Sequence, residues 1–176
     1  MKHLHPRVTA TALVIAVSAL LSACYDTVSE TPLFASGGDS CDGFAGRYLL
    51  LTEDRSQSTF RTSGRLILAQ TQFGCDLRLE DMDGKTSPVI PSHIQTVDGG
   101  TTIIQVDGRG HDDLDTKVQY LAIEARSMMG FSGFALRRIQ CDPEHEYGDC
   151  IVSTTSELSQ RARQLDDMLF IAVREL

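Results

Sequence analysis

The sequence predicts a mainly β fold: a small antiparallel barrel or sandwich of about seven to eight strands with a C-terminal amphipathic α-helix. Two observations carry this prediction. Short runs of alternating or β-branched residues, bounded by turn residues, recur between residues 41 and 152. Apolar residues then recur at helical spacing toward the C-terminus. The length of 176 residues and the 41% hydrophobic content fit one globular domain.

The strand candidates are separated by recognisable turns. Asp98-Gly99-Gly100 lies between two β-rich runs and predicts a hairpin, and Asp83-Gly84 marks a second turn. The candidate strands are 47–52, 65–70, 77–80, 94–97, 101–106, 118–125 and 131–140.

The run 118–125 is apolar on both sides. Tyr120 and Ala122 fall on one face of a strand, and Leu121 and Ile123 fall on the other. We therefore expect both faces of this strand to be at least partly buried.

The C-terminal segment predicts a helix. Thr154 and Glu157 have the spacing of a capping box. We expect the apolar stripe to pack against the sheet, because the opposite face mixes both signs of charge; a partner helix or a membrane surface is the alternative. The stripe consists of Leu158, Ala162, Leu165, Leu169, Ala172 and Leu176.

The N-terminus has the layout of an export signal. A short positive segment precedes the apolar run 8–21, which is too short for a comfortable transmembrane helix and suits a signal-peptide core. Leu21-Ser22-Ala23-Cys24 follows and resembles the lipobox of bacterial lipoproteins with a type II signal peptide. An ordinary secretory signal that is cleaved near a cysteine is the alternative.

The lipoprotein resemblance implies an organisation and a location. Residues 1–23 would be removed, and Cys24 would become a lipidated, further acylated (palmitate-type) N-terminus that anchors the chain stably in a membrane. In that family an aspartate after the cysteine favours the inner membrane; Tyr25 therefore favours the periplasmic face of the outer membrane, with the inner membrane as the alternative. We interpret 24–40 as a flexible lipidated tether and 41–176 as a β-rich periplasmic domain.

Two glycine-aromatic segments echo each other. Gly43-Phe44-Ala45-Gly46 precedes the first main strand candidate, and Gly130-Phe131-Ser132-Gly133 opens the last, each before an apolar run with an arginine. This arrangement resembles lipocalin-like barrels, which have a glycine-aromatic start and an arginine on the closing strand. Tyr48 stands where that family prefers tryptophan, and the chain has none. Two unrelated strands with glycine at their start are the alternative.

Cysteine content predicts disulfides. Four cysteines follow Cys24, and an even set in an exported chain indicates disulfide bonds. One pair brackets a polar loop, and the other pair lies near the first and third strand candidates, but three pairings are possible. The candidates are Cys41, Cys75, Cys141 and Cys150.

Charge and motifs limit the function classes. The formal charge is −8, and near −10 from Cys24 onward because Lys2 and Arg7 precede it, so we predict no nucleic-acid partner. The acidic loops 107–115 and 144–149 match no calcium-loop pattern, and we expect no metal site in either. We place His93, His111 and His145 in loops. The sequence has no hydrolase or phosphate-loop motif, so we predict no catalytic residue and no cofactor.

Three functional hypotheses remain. The first is a non-enzymatic envelope lipoprotein whose domain contacts another envelope protein or the cell wall as an accessory factor. The second is a lipocalin-like carrier of a small apolar ligand or lipid, which needs an unfilled barrel. The third is a hydrolase without a recognised motif. The first is favoured, because the polar cysteine-bracketed loop and the arginines suit protein contact.

Overall fold

Eight antiparallel strands close into a barrel. A computed structural model describes residues 26–35, 41, 43–54, 59–109, 117–128, 131–140 and 150–175. In chain order the elements are β1 (Thr27–Ser29), β2 (Gly46–Asp54), β3 (Thr59–Thr71), β4 (Gly74–Glu80), β5 (Ile90–Thr96), β6 (Thr102–Asp107), β7 (Val118–Met128), β8 (Phe131–Ile139), β9 (Cys150–Ile151), α1 (Thr155–Arg161) and β10 (Leu165–Arg174). Strands β2 to β8 pair in sequence, and β10 closes the barrel between β8 and β2. The barrel form of the prediction is therefore confirmed, as are all the candidate strands.

The inner core fills the barrel. Side chains that point inward alternate along each strand, as the pleat requires. Leu66 and Leu68 on β3 and Leu121 and Ile123 on β7 belong to this cluster and are all at least nine-tenths buried. Aromatic rings close one end, where Phe134 packs edge-on against Tyr48 with ring centroids 4.9 Å apart.

A second hydrophobic cluster, the outer core, covers the outside of β6 and β7. Tyr120 and Ala122 of β7 belong to it, so both faces of this strand are buried, as predicted. Helix α1 contributes Leu158, which is fully buried. The cluster also contains Phe34 from the segment before the barrel.

That segment corrects the predicted tether. Residues 26–34, here called the strap, lie on the barrel: β1 pairs antiparallel with β7 and parallel with β9. Val28 is 1% exposed and Phe34 is 3% exposed. The turn-forming residues suggested a flexible chain, but burial of these apolar side chains against β7 stabilises the folded position of the segment. In its described part, the segment is therefore not a free tether.

The C-terminal helix is shorter than predicted. Thr154 caps α1, since its Oγ1 accepts a hydrogen bond from the Glu157 backbone N–H at 3.1 Å. The helix ends at Arg161, and Leu165–Arg174 forms β10 instead of continuing it. Pairing with β8 and β2 on its two sides overrides the helical spacing of the apolar residues.

Of the three possible pairings, the structure contains one that joins Cys41 to Cys75. Their Cα atoms lie 5.2 Å apart, within the range that a disulfide spans. The bond fixes the chain before β2 to the start of β4. Cys150 is also disulfide-bonded, and Cys141 lies outside the described residues.

The last strand is held to the first barrel strand. The guanidinium of Arg174 lies 5.5 Å from the ring centre of Tyr48 and donates a hydrogen bond to the Ala45 carbonyl at 2.5 Å. The arginine of the closing strand is thus Arg174 on β10, whereas the sequence pattern had placed it after Phe131. Strand β8, the last candidate strand of the sequence, does not pair with β2, because β10 lies between them.

Candidate functional site

The barrel interior offers little room for a ligand. Its internal cavity has a volume of about 30 Å³ and is lined almost entirely by leucine, isoleucine and valine side chains. Ligand pockets usually have volumes of about 300–1,000 Å³. A cavity of this size holds a water molecule or two at most, and an apolar lining leaves it dry.

A larger space, the lateral cleft, lies on the outside of the barrel. Its volume is about 530 Å³. The outer face of β4, β5 and β6 forms its floor. The strap forms one wall through Pro32 and Phe34, and the β3–β4 turn forms the other through Thr71 and Phe73.

Gln105 fixes the strap wall and leaves a donor in the cleft floor. It is 1% exposed, and its Oε1 accepts hydrogen bonds from the backbone N–H groups of Leu33 and Phe34, both at 2.9 Å. These two donors set the orientation of the amide, so Nε2 is the free end. Nε2 is buried and has no hydrogen-bond partner in the described part of the chain. Such a donor is costly unless an acceptor reaches it.

Tyr120 completes the polar contact between strap and barrel. Its hydroxyl lies 2.7 Å from Ser29 Oγ, accepts from the Leu33 N–H at 3.1 Å and donates to Gln105 Oε1 at 3.3 Å. Burial raises the pKa of Tyr120, so the hydroxyl stays protonated at neutral pH. Neutral hydrogen bonds therefore hold the strap wall in place.

His93 lies next to Gln105 on the cleft floor. The two residues are directly opposite each other in the β5–β6 ladder. The ring packs over Gly74, where a Cβ would come within 2.6 Å of Nδ1. Nδ1 is buried without a hydrogen-bond partner among the described residues. Burial lowers the pKa of His93, and the charge of Asp107 acts in the opposite direction.

Three charged residues line the cleft, and one of them is uncompensated. Arg109 and Asp107 form a two-pronged ion pair, with N–O distances of 2.8 and 2.7 Å. The side chain of Asp76 forms no ion pair or hydrogen bond with any residue that the structure describes. The described lining therefore carries a net negative charge near Asp76 when His93 is neutral.

Phe73 gives the cleft an exposed aromatic edge. Its side chain is 65% exposed at the tip of the β3–β4 turn. Thr71 fixes this turn, since its Oγ1 accepts from the Phe73 N–H at 3.2 Å and donates to the Gly74 carbonyl at 3.3 Å. The ring is thus presented on an ordered turn, which lowers the entropic cost of using it in binding.

The sequence-predicted sites have different outcomes. Cys24 lies outside the described residues, so its lipidation stays a prediction. Of the acidic loops, Asp107 lies in the cleft, paired with Arg109, and the stretches 110–116 and 141–149 lie outside the description. Within the described ranges no cluster of three or more potential metal ligands occurs, and no helix there is long and apolar enough to cross a membrane.

Four cleft residues were missed or misplaced by sequence reasoning. His93 was expected in a loop but lies on β5. Phe73, Asp76 and Gln105 were not singled out. The one available signal was Gln105, a polar residue inside the β-branched run 101–106, where a buried polar side chain needs a specific partner.

Comparison with known proteins does not assign the chain to a group: no family model, no curated protein and no solved structure matches it. The class that the coordinates define is a closed eight-stranded antiparallel barrel with a filled interior and a lateral cleft.

Proposed function

We propose that this protein is a lipid-anchored lipoprotein of the bacterial envelope that acts without catalysis, as an accessory factor contacting another envelope protein or the cell wall. The lipobox 21–24 supports the anchor, and Tyr25 favours the periplasmic face of the outer membrane. The observation that carries the binding role is the contrast between the two cavities. The interior holds about 30 Å³, whereas the external cleft holds about 530 Å³ and has polar groups ready for contacts.

The anchor and the domain lie close together in the chain. Asp26 is 5% exposed, and strand β1 follows it directly. Only Tyr25 separates Asp26 from Cys24, and two residues span at most about 7 Å. A lipid on Cys24 would therefore hold the barrel against the membrane surface, where it meets partners within the membrane plane.

The alternative function is a lipocalin-like carrier. The closed barrel and the Arg174 contact with Tyr48 favour it. The filled interior counts against it, because a carrier needs a cavity of ligand size. Several of the leucine-rich side chains that fill the barrel would have to move to create one.

The anchor is tested with Cys24→Ser. We expect the chain that retains Cys24 in the membrane fraction, labelled by an alkyne-bearing palmitate analogue. We expect the variant in the soluble periplasmic fraction, without label. Membrane attachment that persists unchanged in the variant would sink the lipoprotein proposal.

The accessory role is tested by crosslinking in cells. The full chain carries a photoreactive amino acid at position 73 in the cleft wall or, as the control, at the exposed position Phe60. We expect a reproducible protein or peptidoglycan adduct from position 73 only. Lipid extraction of the purified protein is the parallel test, and a stoichiometric apolar ligand there would favour the carrier.

A further inference from the structure

We infer that the lateral cleft binds a peptide segment of the partner by a lysine or arginine residue, with the peptide carbonyl on Gln105 Nε2 and the cationic side chain between Asp76 and Phe73. This inference rests on the proposed contact with a protein partner and specifies the chemistry that the partner must present.

The hydrogen-bond requirement comes from Gln105. Its Oε1 is committed to two backbone N–H groups of the strap, so rotation of the amide would replace two acceptor contacts by donor–donor repulsion. The remaining Nε2 donors are buried, unpaired among described residues, and border the cleft. A ligand therefore has to supply an acceptor, and a backbone carbonyl is the acceptor that every peptide carries.

The charge requirement comes from Asp76. It is the one charged side chain of the described lining without a charged partner, since Asp107 is paired with Arg109. The exposed ring of Phe73 lines the same cleft. A carboxylate together with an aromatic face favours a cation, and the two attractions act on the same group.

The spacing of these groups suits one residue with a long side chain. Asp76 is opposite Pro91 on β5, and Gln105 is opposite His93 two residues further along β5. Two strand spacings across and two residues along place their Cα atoms roughly 12 Å apart. Because side chains on one face of a sheet stand roughly perpendicular to it, this separation persists at the side chains, and an extended lysine or arginine residue covers most of it between its carbonyl oxygen and its charged group. His93 lies between them, and its lowered pKa keeps it uncharged at neutral pH, so it does not compete with the ligand's cation.

The test uses three dye-labelled peptides and fluorescence anisotropy with the full chain purified in detergent. The probes are acetyl-Ala-Phe-Lys-Ala-Gly-Gly-amide and its counterparts with norleucine or glutamate in place of lysine. We expect the lysine peptide to bind roughly tenfold more tightly than the norleucine peptide and more tightly still than the glutamate peptide. Equal binding of all three, or no binding of the lysine peptide, would overturn the inference.

Matched variants assign the contact to the cleft. Asp76→Asn should remove most of the preference for lysine over norleucine, and Phe73→Ala should weaken the lysine peptide severalfold. The controls are Asp98→Asn at the exposed β5–β6 turn and Phe60→Ala on β3, which should leave both affinities unchanged. If Asp98→Asn reduces the lysine preference as much as Asp76→Asn does, the attraction is general to this acidic chain and the inference is wrong. In that case, a protein partner that crosslinks in cells to a face other than the lateral cleft would still support the proposed function.

Discussion

The inner and outer cores of this protein use the same strands in opposite ways. On β7, Leu121 and Ile123 point into a barrel filled with aliphatic and aromatic side chains. Tyr120 and Ala122 point outward, under the strap and helix α1. The inner cluster is closed by a continuous hydrogen-bonded sheet, whereas short segments with few regular partners cover the outer cluster.

The difference follows from backbone hydrogen bonding. Inside the barrel, neighbouring strands satisfy most of the backbone; the Leu79 N–H, which donates to Ser87 Oγ at 3.0 Å, is an exception. The strap leaves β1 at Ser29 and then has no ladder, and so the N–H groups of Leu33 and Phe34 must be satisfied by Gln105 and Tyr120. We therefore expect the inner core to set most of the stability of the fold, and the outer core to set the position of the strap and hence of the cleft wall.

The prediction with the largest expected effect compares how much the inner and outer cores each contribute to the free energy of unfolding. Leu66→Ala removes a side chain that is 2% exposed and enlarges the cavity that it already borders, which a closed barrel cannot collapse to fill. We expect a loss of about 3–5 kcal/mol in the free energy of unfolding, measured by urea denaturation. Leu158→Ala is the matched change in the outer core, and we expect about 2–3 kcal/mol because the short helix α1 can shift inward. An equal or larger loss for Leu158→Ala would show that the outer core is as rigid as the barrel.

A smaller effect separates positioning of the strap from overall stability. Tyr120→Phe removes the hydroxyl that contacts Ser29, Leu33 and Gln105, and we expect a loss of about 1–2 kcal/mol. Amide hydrogen exchange should accelerate at Leu33 and Phe34 while the barrel amides keep their protection.

The control for this change is Tyr48→Phe. It deletes a hydroxyl that donates to the Phe44 carbonyl at 2.7 Å, and Tyr48 belongs to the inner core, whereas Phe34 of the strap belongs to the outer core. Exchange at Leu33 and Phe34 should stay as in the unchanged chain. If Tyr120→Phe instead accelerates exchange uniformly over β2 to β8, the strap and the barrel unfold as one unit.

The regular part of the barrel could be predicted from the sequence because its signals are local. Each strand from β2 to β8 has its own apolar pattern, and turns such as Asp98-Gly99-Gly100 separate them. The short strands β1 and β9 could not be predicted. They have three and two residues, too few to show a period. Strand β1 forms on the edge that β7 offers beyond the end of β8, and β9 in turn pairs with β1.

In the C-terminal segment, the helical spacing of the apolar residues is real but predicted a helix where β10 forms. Leu158, Ala162 and Leu165 do lie together in the outer core. Phe170 and Ala172 belong to the inner core instead, because β10 lies between β8 and β2 and is buried on both faces at Phe170–Ala172. A strand that is buried on both faces has no alternation, and a short apolar run of this kind cannot be distinguished from a helix by periodicity. Composition was the better guide here, since Ile171 and Val173 are β-branched.

The cleft depended on contacts that no local pattern encodes. Its walls come from residues 32–34 and 71–73, and its floor comes from three strands brought together by the ladder register. Only after folding does His93 lie beside Gln105, with Asp76 diagonal to both. Sequence reasoning instead emphasised the acidic loops, where charge density is visible without a fold.

The smallest expected effect concerns the protonation of the cleft floor. The native pKa of His93 lies below the unfolded-state value of about 6.5, because burial disfavours the charged ring more than Asp107 favours it. As pH falls from about 7.5 to about 5.5, the unfolded chain takes up this proton before the native chain does, so the free energy of unfolding decreases. Above about pH 8 the ring is neutral in both states and contributes no pH dependence.

The variant His93→Gln, which retains a side chain over Gly74, tests this effect. We expect its urea midpoint to decrease less between about pH 7.5 and about pH 5.5 than that of the unchanged chain. Subtracting the two chains cancels the other histidines and the carboxylates. Identical decreases would mean that His93 is charged as easily in the native state as in the unfolded one, and a steeper decrease in the variant would reverse the sign that burial predicts.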